Sequence, residues 1–538
     1  MGRWPLVPLA IFALTALALL PDLGGQHVWS KDEARDGLVA RDMVEAGHWL
    51  IPHMGGRVYP YKPPLFHWLV ALLSGRSVTE WSLRLPSVLA AAATVAMTYA
   101  IGARLATPVA GLVAAAVLAS SATFVEWART GRLEMLLTLW LVLGFWSAMR
   151  WLEEQRRRHA IALGLALGLG CLTKGPIGLL PLGAMLVALG LRGCWSRRAL
   201  DDLGLALGLA LALPGAWLAM AAGAHAGVAE YVMAVIAMFP DEFRGRRQAH
   251  GFFALEAIGV GFLPWTFLLP GVMLVLIRRW RASWRTLLLP LLWVALILAI
   301  FTIVISPRAV HFLPIYPALA IVLAWAWSSS SVPERRWMLY PLGLVVITAL
   351  VVSLALTVWP LTIDSDRQGL VLSRRVALMA ALMIGATTLG GVVLLRRRRT
   401  DALPLLVGAG TLLVLVLLHV TVNTPRLNRV YPTREVAARF AALLPPGAEV
   451  VYVDRKLSTA LMFYLEHRRI ELVQIRAIAR VADHPGRFSL MLEEEMALLI
   501  RKQCSPPPPL REETLVGSRY LLVNLHGFAP RCSWAEST

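Results

Sequence analysis

Apolar residues run along this chain in long blocks broken by short arginine clusters or longer polar stretches, and the blocks have the length of membrane-crossing helices. They fall near 4–21, 83–104, 108–125, 133–151, 160–173, 176–191, 201–222, 252–277, 286–305, 311–328, 337–359, 375–395 and 403–421. That pattern predicts about thirteen spans of roughly 15–25 residues. One apolar stretch is interrupted at Cys171-Leu-Thr-Lys-Gly-Pro-Ile177 and counts as two spans, which keeps the arginine clusters on one side. The first block follows Arg3 and is not followed by a small-residue cleavage pattern, so it reads as a retained helix rather than a removed signal.

Two regions depart from the pattern. Residues 22–82 form a first loop too long for a connector, and it opens on the polar island Trp29-Ser-Lys-Asp-Glu-Ala-Arg-Asp-Gly-Leu-Val-Ala-Arg-Asp-Met43. Charges this dense between spans are costly unless water or a substrate surrounds them, so the loop is the leading place for a site. Beyond 421 the character changes again. Pro445-Pro-Gly447 precedes the strand-like Glu449-Val-Val-Tyr-Val453, a helix-like stretch lies around Leu457 to Leu465, and strand-like runs recur near Ile470 to Ile475 and Tyr520 to Asn524. The expectation is a membrane part over 1–421 and a small α/β domain over 422–538.

Composition agrees: 57% of the 538 residues are hydrophobic and 16% charged, which excludes a soluble domain. The net charge of +19 does not point to nucleic acid, because much of it sits in short loops such as Arg156 to Arg158, Arg278 to Arg285, Arg335-Arg336 and Arg396 to Arg399. These mark the cytoplasmic side by the positive-inside rule. An odd number of spans then puts the first loop and the tail together outside, where Cys504 and Cys532 would meet an oxidising compartment that allows a disulfide. Cys171 and Cys194 read as inert thiols.

The external face is nevertheless rich in cations. It gathers Arg35 and Lys62 of the first loop, Arg129 and Arg132 with Glu126 and Glu134, Lys174, Arg308 with His311, and a long loop bearing Glu230, Tyr231, Asp241, Glu242, Arg244, Arg246, Arg247 and His250. Such a face fits an anionic ligand, and a phosphate at the membrane surface suits it. His27, His48, His53 and His67 match no compact metal-ligand spacing and read as ordinary loop histidines.

Six motifs in order resemble a known family: Lys31-Asp-Glu-Ala-Arg35, Tyr61-Lys-Pro-Pro64, Ala128-Arg-Thr-Gly-Arg-Leu-Glu-Met135, Leu172-Thr-Lys-Gly-Pro176, Gly261-Phe-Leu-Pro-Trp265 and Ser306-Pro-Arg-Ala-Val-His-Phe-Leu-Pro-Ile-Tyr-Pro317. Together they look like the bacterial branch of the membrane-embedded GT-C glycosyltransferases, which includes the aminoarabinose transferase of lipid A and relatives of protein O-mannosyltransferases. The resemblance implies a polytopic helical enzyme of the inner membrane that takes a sugar from a polyprenyl-phosphate donor at the periplasmic face and passes it to a lipid A, glycan or protein acceptor.

The resemblance also implies roles. Asp32, with Glu33 beside it, takes the position of the family's acidic residue beside the reacting centre, where a carboxylate can accept the proton of an attacking hydroxyl. Lys62 takes the place of the Lys-Pro-Pro lysine for the donor phosphate. Glu134 stands where the family usually has aspartate, its carboxylate carried out by one methylene, roughly 1.5 Å. Arg35, Arg129, Arg132, Lys174, Arg308 and His311 fit the phosphate-binding set. Many relatives carry glutamate before the lysine; Tyr61 stands there in this chain, so no metal site is implied at that position, and whether a divalent ion takes part is open. A secondary transporter or flippase for an anionic lipid-linked substrate is the alternative, and it should show internal repeats and broken helices at mid-membrane.

Overall fold

The computed structural model describes residues 6–224, 227–233, 253–301, 308–358, 362–363, 370–371, 373–443, 449–452, 459–465, 471–472, 488–493, 504–505, 510–515, 518–524 and 531–532. Asp241, Glu242, Arg244, Arg246, Arg247, His250 and the Ser306-Pro307 start of the last motif lie outside them.

Among the described residues, nine helices are long and apolar enough to cross a membrane, or ten if a bent pair is one span. In order the chain begins with α1 (Leu6–Leu19), α2 (Lys31–Ala46), a hairpin of β1 (His53–Met54) and β2 (Arg57–Val58), α3 (Leu65–Ser74) and α4 (Glu80–Leu105). Then come α5 (Pro108–Ala119), α6 (Ala122–Ala128), α7 (Leu133–Glu154), α8 (Arg157–Lys174), α9 (Leu180–Arg192) and α10 (Arg197–Gly223). The span expected over 108–125 is the α5–α6 pair, bent by 68°. The two spans expected over 160–191 are α8 and α9 joined by a tight 3-10 turn at Gly175–Leu179, and they form one candidate span of 36 residues. Gly175 allows that turn, with φ at 72° in the left-handed region.

One expectation is corrected. The arginine cluster at 278–285 was expected to be a loop between two spans, but a single helix, Leu269–Ala299, runs through it. Arginine has a long apolar stem and a high helix propensity, so a cluster of arginines need not end a helix at the membrane surface.

The membrane part shares one core. Small residues bring α4 and α5 together: a Cβ on Gly111 would sit 2.5 Å from the Tyr99 carbonyl oxygen. Phe145 stacks on Trp293 with ring centres 4.1 Å apart, joining α7 to the Leu269–Ala299 helix. Three more candidate spans follow Ala309–Ser329: Pro333–Val358, Arg374–Arg396 and the block Thr400–Arg439. Between the first two of these, β3 (Thr362–Ile363) pairs with β4 (Leu370–Val371).

After 421 the described pieces include a five-stranded sheet. Its strands are β5 (Glu449–Tyr452), β6 (Glu471–Leu472), β7 (Phe488–Glu493), β9 (Leu510–Leu515) and β10 (Ser518–Asn524), in the order β6-β5-β7-β10-β9. β5 is parallel to β6 and β7, while β10 is antiparallel to β7 and β9. β8 (Cys504–Ser505) pairs separately with β11 (Arg531–Cys532), and the register sets Cys504 opposite Cys532.

Two helices of the tail lock onto the first loop. The Tyr464 hydroxyl accepts from the Val28 N–H at 2.6 Å and donates to Glu80 at 2.8 Å, while Thr433 donates to the Val28 carbonyl at 2.9 Å. Arg41 of α2 donates to the carbonyls of Met462 and Phe463, both at 3.3 Å, at the end of the helix Thr459–Tyr464. Phe463 lies so close to α2 that a Cβ on Gly37 would meet its ring at 2.6 Å. The first loop is thus held between membrane helices and tail.

Candidate active site

Helix α2 carries the centre of the site. Its first turn holds Asp32 and Glu33, which suit the positive end of the helix dipole, and Gly47 closes its other end in the left-handed conformation at φ 75°. Successive residues on a helix are turned by about 100°, so the two acids part company. Asp32, Arg35 and Asp36 share one face. Glu33 belongs to the face of Gly37 and Ala40, which is packed inward.

Asp32 is the meeting point of three guanidiniums. Its Oδ2 accepts from Arg132 Nη1 and Arg308 Nη1, both at 3.0 Å, and its Oδ1 lies 3.5 Å from Arg35 Nη1. Partial burial alone would push this carboxyl up, but the pull of Arg132, then Arg35 and Arg308, holds it below the usual carboxylate range. Arg132 continues the chain as a two-pronged donor to Glu134, with Nε at 3.2 Å and Nη2 at 3.0 Å. Lys174 Nζ closes on Glu134 from α8 at 3.0 Å. Buried ion pairs of this kind persist only where geometry is good and each lone pair is used.

Lys62 lies close enough to Glu134 and Lys174 to interact electrostatically with both, and among the described residues it makes no hydrogen bond of its own. His311 stands at the rim, its Nδ1 accepting from the Arg308 N–H at 3.4 Å and its ring stacked on Phe301 at 5.1 Å. Tyr61 is half exposed beside Lys62, with the Arg35 guanidinium over its ring at 5.8 Å. The structure therefore brings Asp32, Glu134, Arg132, Lys174, Arg308, Arg35, Lys62 and His311 to one place.

Two expected members lie apart from this cluster. Glu33 is 1% exposed and wholly engaged: Arg84 binds both its oxygens, at 2.8 and 3.3 Å, and the Gly131 N–H donates to Oε1 at 2.8 Å. Arg84 also donates to the carbonyls of Leu23 at 2.8 Å and Gln26 at 2.7 Å, so the pair pins the first loop to α4 and to the turn before α7. Arg129 is the second. It donates to the carbonyls of Leu19 and Pro21, satisfying the open end of α1, and burial together with repulsion from Arg84 lowers it to about 10.

Sequence reasoning missed a third feature. Asp36, one turn beyond Asp32, accepts from His67 Nε2 at 3.1 Å, and both side chains are buried. The spacing of Asp32 and Asp36 by four residues was the available signal. No group of three or more His, Cys, Asp or Glu side chains among the described residues has a metal-holding arrangement. The Arg132 guanidinium fills the position between the two site carboxylates that a cation bridging them would take.

Known proteins match this architecture. Residues 61–218 match the family of dolichyl-phosphate-mannose-protein mannosyltransferases. The undecaprenyl phosphate-alpha-4-amino-4-deoxy-L-arabinose arabinosyl transferase of Pectobacterium carotovorum is 29% identical over 350 residues, 62% of this chain and 61% of that protein. Its counterpart in Pseudomonas aeruginosa strain LESB58 is 30% identical over 343 residues, 61% of this chain and 60% of that one. The chain thus spans about three fifths of the curated relatives it matches. Over the whole length the fold agrees with the crystal structure of ArnT from Cupriavidus metallidurans, with TM-score 0.74 at 19% identity and 98% of each chain covered. The same protein bound to undecaprenyl phosphate gives TM-score 0.75 at 18% identity. Motifs, fold and relatives together make this chain similar to the GT-C membrane glycosyltransferases, and among them to proteins of the aminoarabinose transferase type.

Proposed function

We propose that this chain transfers a sugar from a polyprenyl-phosphate donor to an acceptor at the outer face of the inner membrane. The observation that carries the reading is a carboxylate kept ionised by three guanidiniums, Asp32, in one charge network with Glu134 and with a lysine that has no hydrogen-bonding partner among the described residues, Lys62, at the junction of α2, α3, α7 and α8. An acceptor oxygen bonds to the anomeric carbon while the bond from that carbon to the phosphate oxygen breaks, and the phosphate leaves with the electron pair. For a hydroxyl acceptor the proton goes to Asp32. Lys62, Lys174 and the exposed Arg308 supply cationic charge for the departing phosphate, so that oxygen needs no proton.

The relatives' names point to undecaprenyl phosphate as the carrier, and the resemblance points to lipid A as the first acceptor to examine. The first loop and the tail, being hydrogen-bonded together, belong on the same side, and the periplasm is the side that the arginine bias assigns them. Mass spectrometry of lipids, glycans and envelope proteins from a deletion strain and its parent tests the reading. A single pentose- or hexose-sized mass lost from one class names the acceptor and supports transfer. Unchanged covalent products, with substrate flux in vesicles that needs this protein, would replace the enzyme by a transporter.

A further inference from the structure

The loop that carries Lys62 meets α2 on both sides of the lysine, through Tyr59 before it and His67 after it. Three residues before it, the phenol of Tyr59, 3% exposed, lies within electrostatic reach of the Arg35 side chain. Five residues after it, His67 Nε2 donates to Asp36 Oδ1 at 3.1 Å, with both side chains buried. The rings of Tyr59 and His67 meet edge to face at 6.2 Å, so the two contacts touch. Between them Pro63 and Pro64 fix the backbone that joins Lys62 to the start of α3 at Leu65. Arg35 and Asp36 lie on the same face of α2 as Asp32.

The pair is costly to keep. His67 is fully buried between Phe66 and Trp68 in an α3 whose other inward residues, Phe66, Val70 and Ala71, are apolar, and its Nδ1 has no partner among the described residues. An unmatched buried ring nitrogen is a cost that an apolar residue would avoid. Ordinary packing does not account for it, whereas positioning does.

We infer that Asp36–His67, with Arg35–Tyr59, is a two-point staple that sets the Lys62 ammonium in register with the Asp32 carboxylate, so that His67 is a positioning residue for donor-phosphate binding. The inference rests on the proposed use of a polyprenyl-phosphate donor. It differs from a merely structural role in one respect: the effect of His67 must pass through Lys62.

The test is a double-mutant cycle on the full-length protein in nanodiscs, with undecaprenyl phosphate as the probe and its apparent Kd read by native mass spectrometry. His67→Asn and His67→Gln are both polar and smaller than histidine, but only the glutamine amide reaches the place of Nε2. His67→Asn should weaken binding at least about fivefold, as Lys62→Ala does, and His67→Gln should stay within roughly twofold of the parent. In a Lys62→Ala background, His67→Asn should add less than about twofold, since the group it positions is gone. Additive losses, or equal binding by His67→Asn and the parent at matched folded fraction, overturn the staple while leaving the donor reading intact. A parent protein that does not bind undecaprenyl phosphate overturns the donor reading itself, and the staple with it.

Discussion

Replacing Glu33 separates a structural acid from a catalytic one. In Glu33→Gln the Arg84 guanidinium, itself 1% exposed, loses its counter-charge, and the amide cannot accept from Nε, Nη2 and the Gly131 N–H together as two carboxylate oxygens do. Removing one partner of a buried ion pair costs about 3–5 kcal/mol. The hydrogen bond from Gly131 adds about 1 kcal/mol when it is lost as well. At about 1.4 kcal/mol per factor of ten, opening of the first loop becomes roughly three to four powers of ten easier. Thermal unfolding in detergent, read by tryptophan fluorescence, should show a clear fall in midpoint. Turnover of the fraction still folded, at a temperature well below that midpoint, should remain within about tenfold of the parent, because Glu33 has no free oxygen for a substrate and general-base loss costs about two powers of ten or more. A hundredfold loss of turnover with an unchanged midpoint would refute the reasoning and return Glu33 to the chemistry.

Other outcomes follow from the same geometry. Lys62→Ala should shift the donor-concentration dependence of product formation to higher concentration, with Lys62→Arg restoring only part of it because a planar fork replaces a point charge; an unchanged dependence would make the lysine a mere anchor. Asp32 is held below the ordinary aspartate value of 3.8, so the stability and charge it contributes are fully present above that value and are lost only as pH falls through the depressed one. Turnover should therefore show no acid limb from Asp32 between about pH 4.5 and 6, and Arg308→Ala should move its limb upward by removing one of the three cations. With Cys504 opposite Cys532 across β8 and β11, the Cα separation of an antiparallel pair suits a disulfide, and peptide mapping of protein exported to an oxidising compartment should recover the two cysteines linked. Recovery of both as free thiols would contradict the external placement of the tail or the pairing.

Much of the membrane part was legible because a span must be apolar for its whole length, and most of the apolar blocks coincide with helices among the described residues. What failed were judgements that need a face or a neighbour. Arg278 to Arg285 read as a loop because charge clusters mark membrane edges, yet nothing in a run of arginines obliges a helix to end there. Asp32 and Glu33 are adjacent in sequence and were given one role. The stripe Glu33–Gly37–Ala40, small and apolar after the acid, was the sign that Glu33 turns inward. Arg129 and Arg132 look alike in the motif, and only the position of α1 decides that Arg129 ends on the carbonyls of Leu19 and Pro21. Asp36–His67 joins residues 31 positions apart, which no local pattern reveals.

The central claim is that Asp32 is the carboxylate at the reacting centre of a lipid-linked sugar transfer. The direct measurement is product formation by purified parent, Asp32→Asn and Asp32→Ala proteins in liposomes, given an undecaprenyl-phosphate-linked sugar and lipid A, with binding of undecaprenyl phosphate followed in parallel. Both variants should lose about two orders of magnitude or more in turnover at matched folding and keep donor binding within a few-fold. Near-parental turnover in both variants would remove Asp32 from the chemistry and contradict the account.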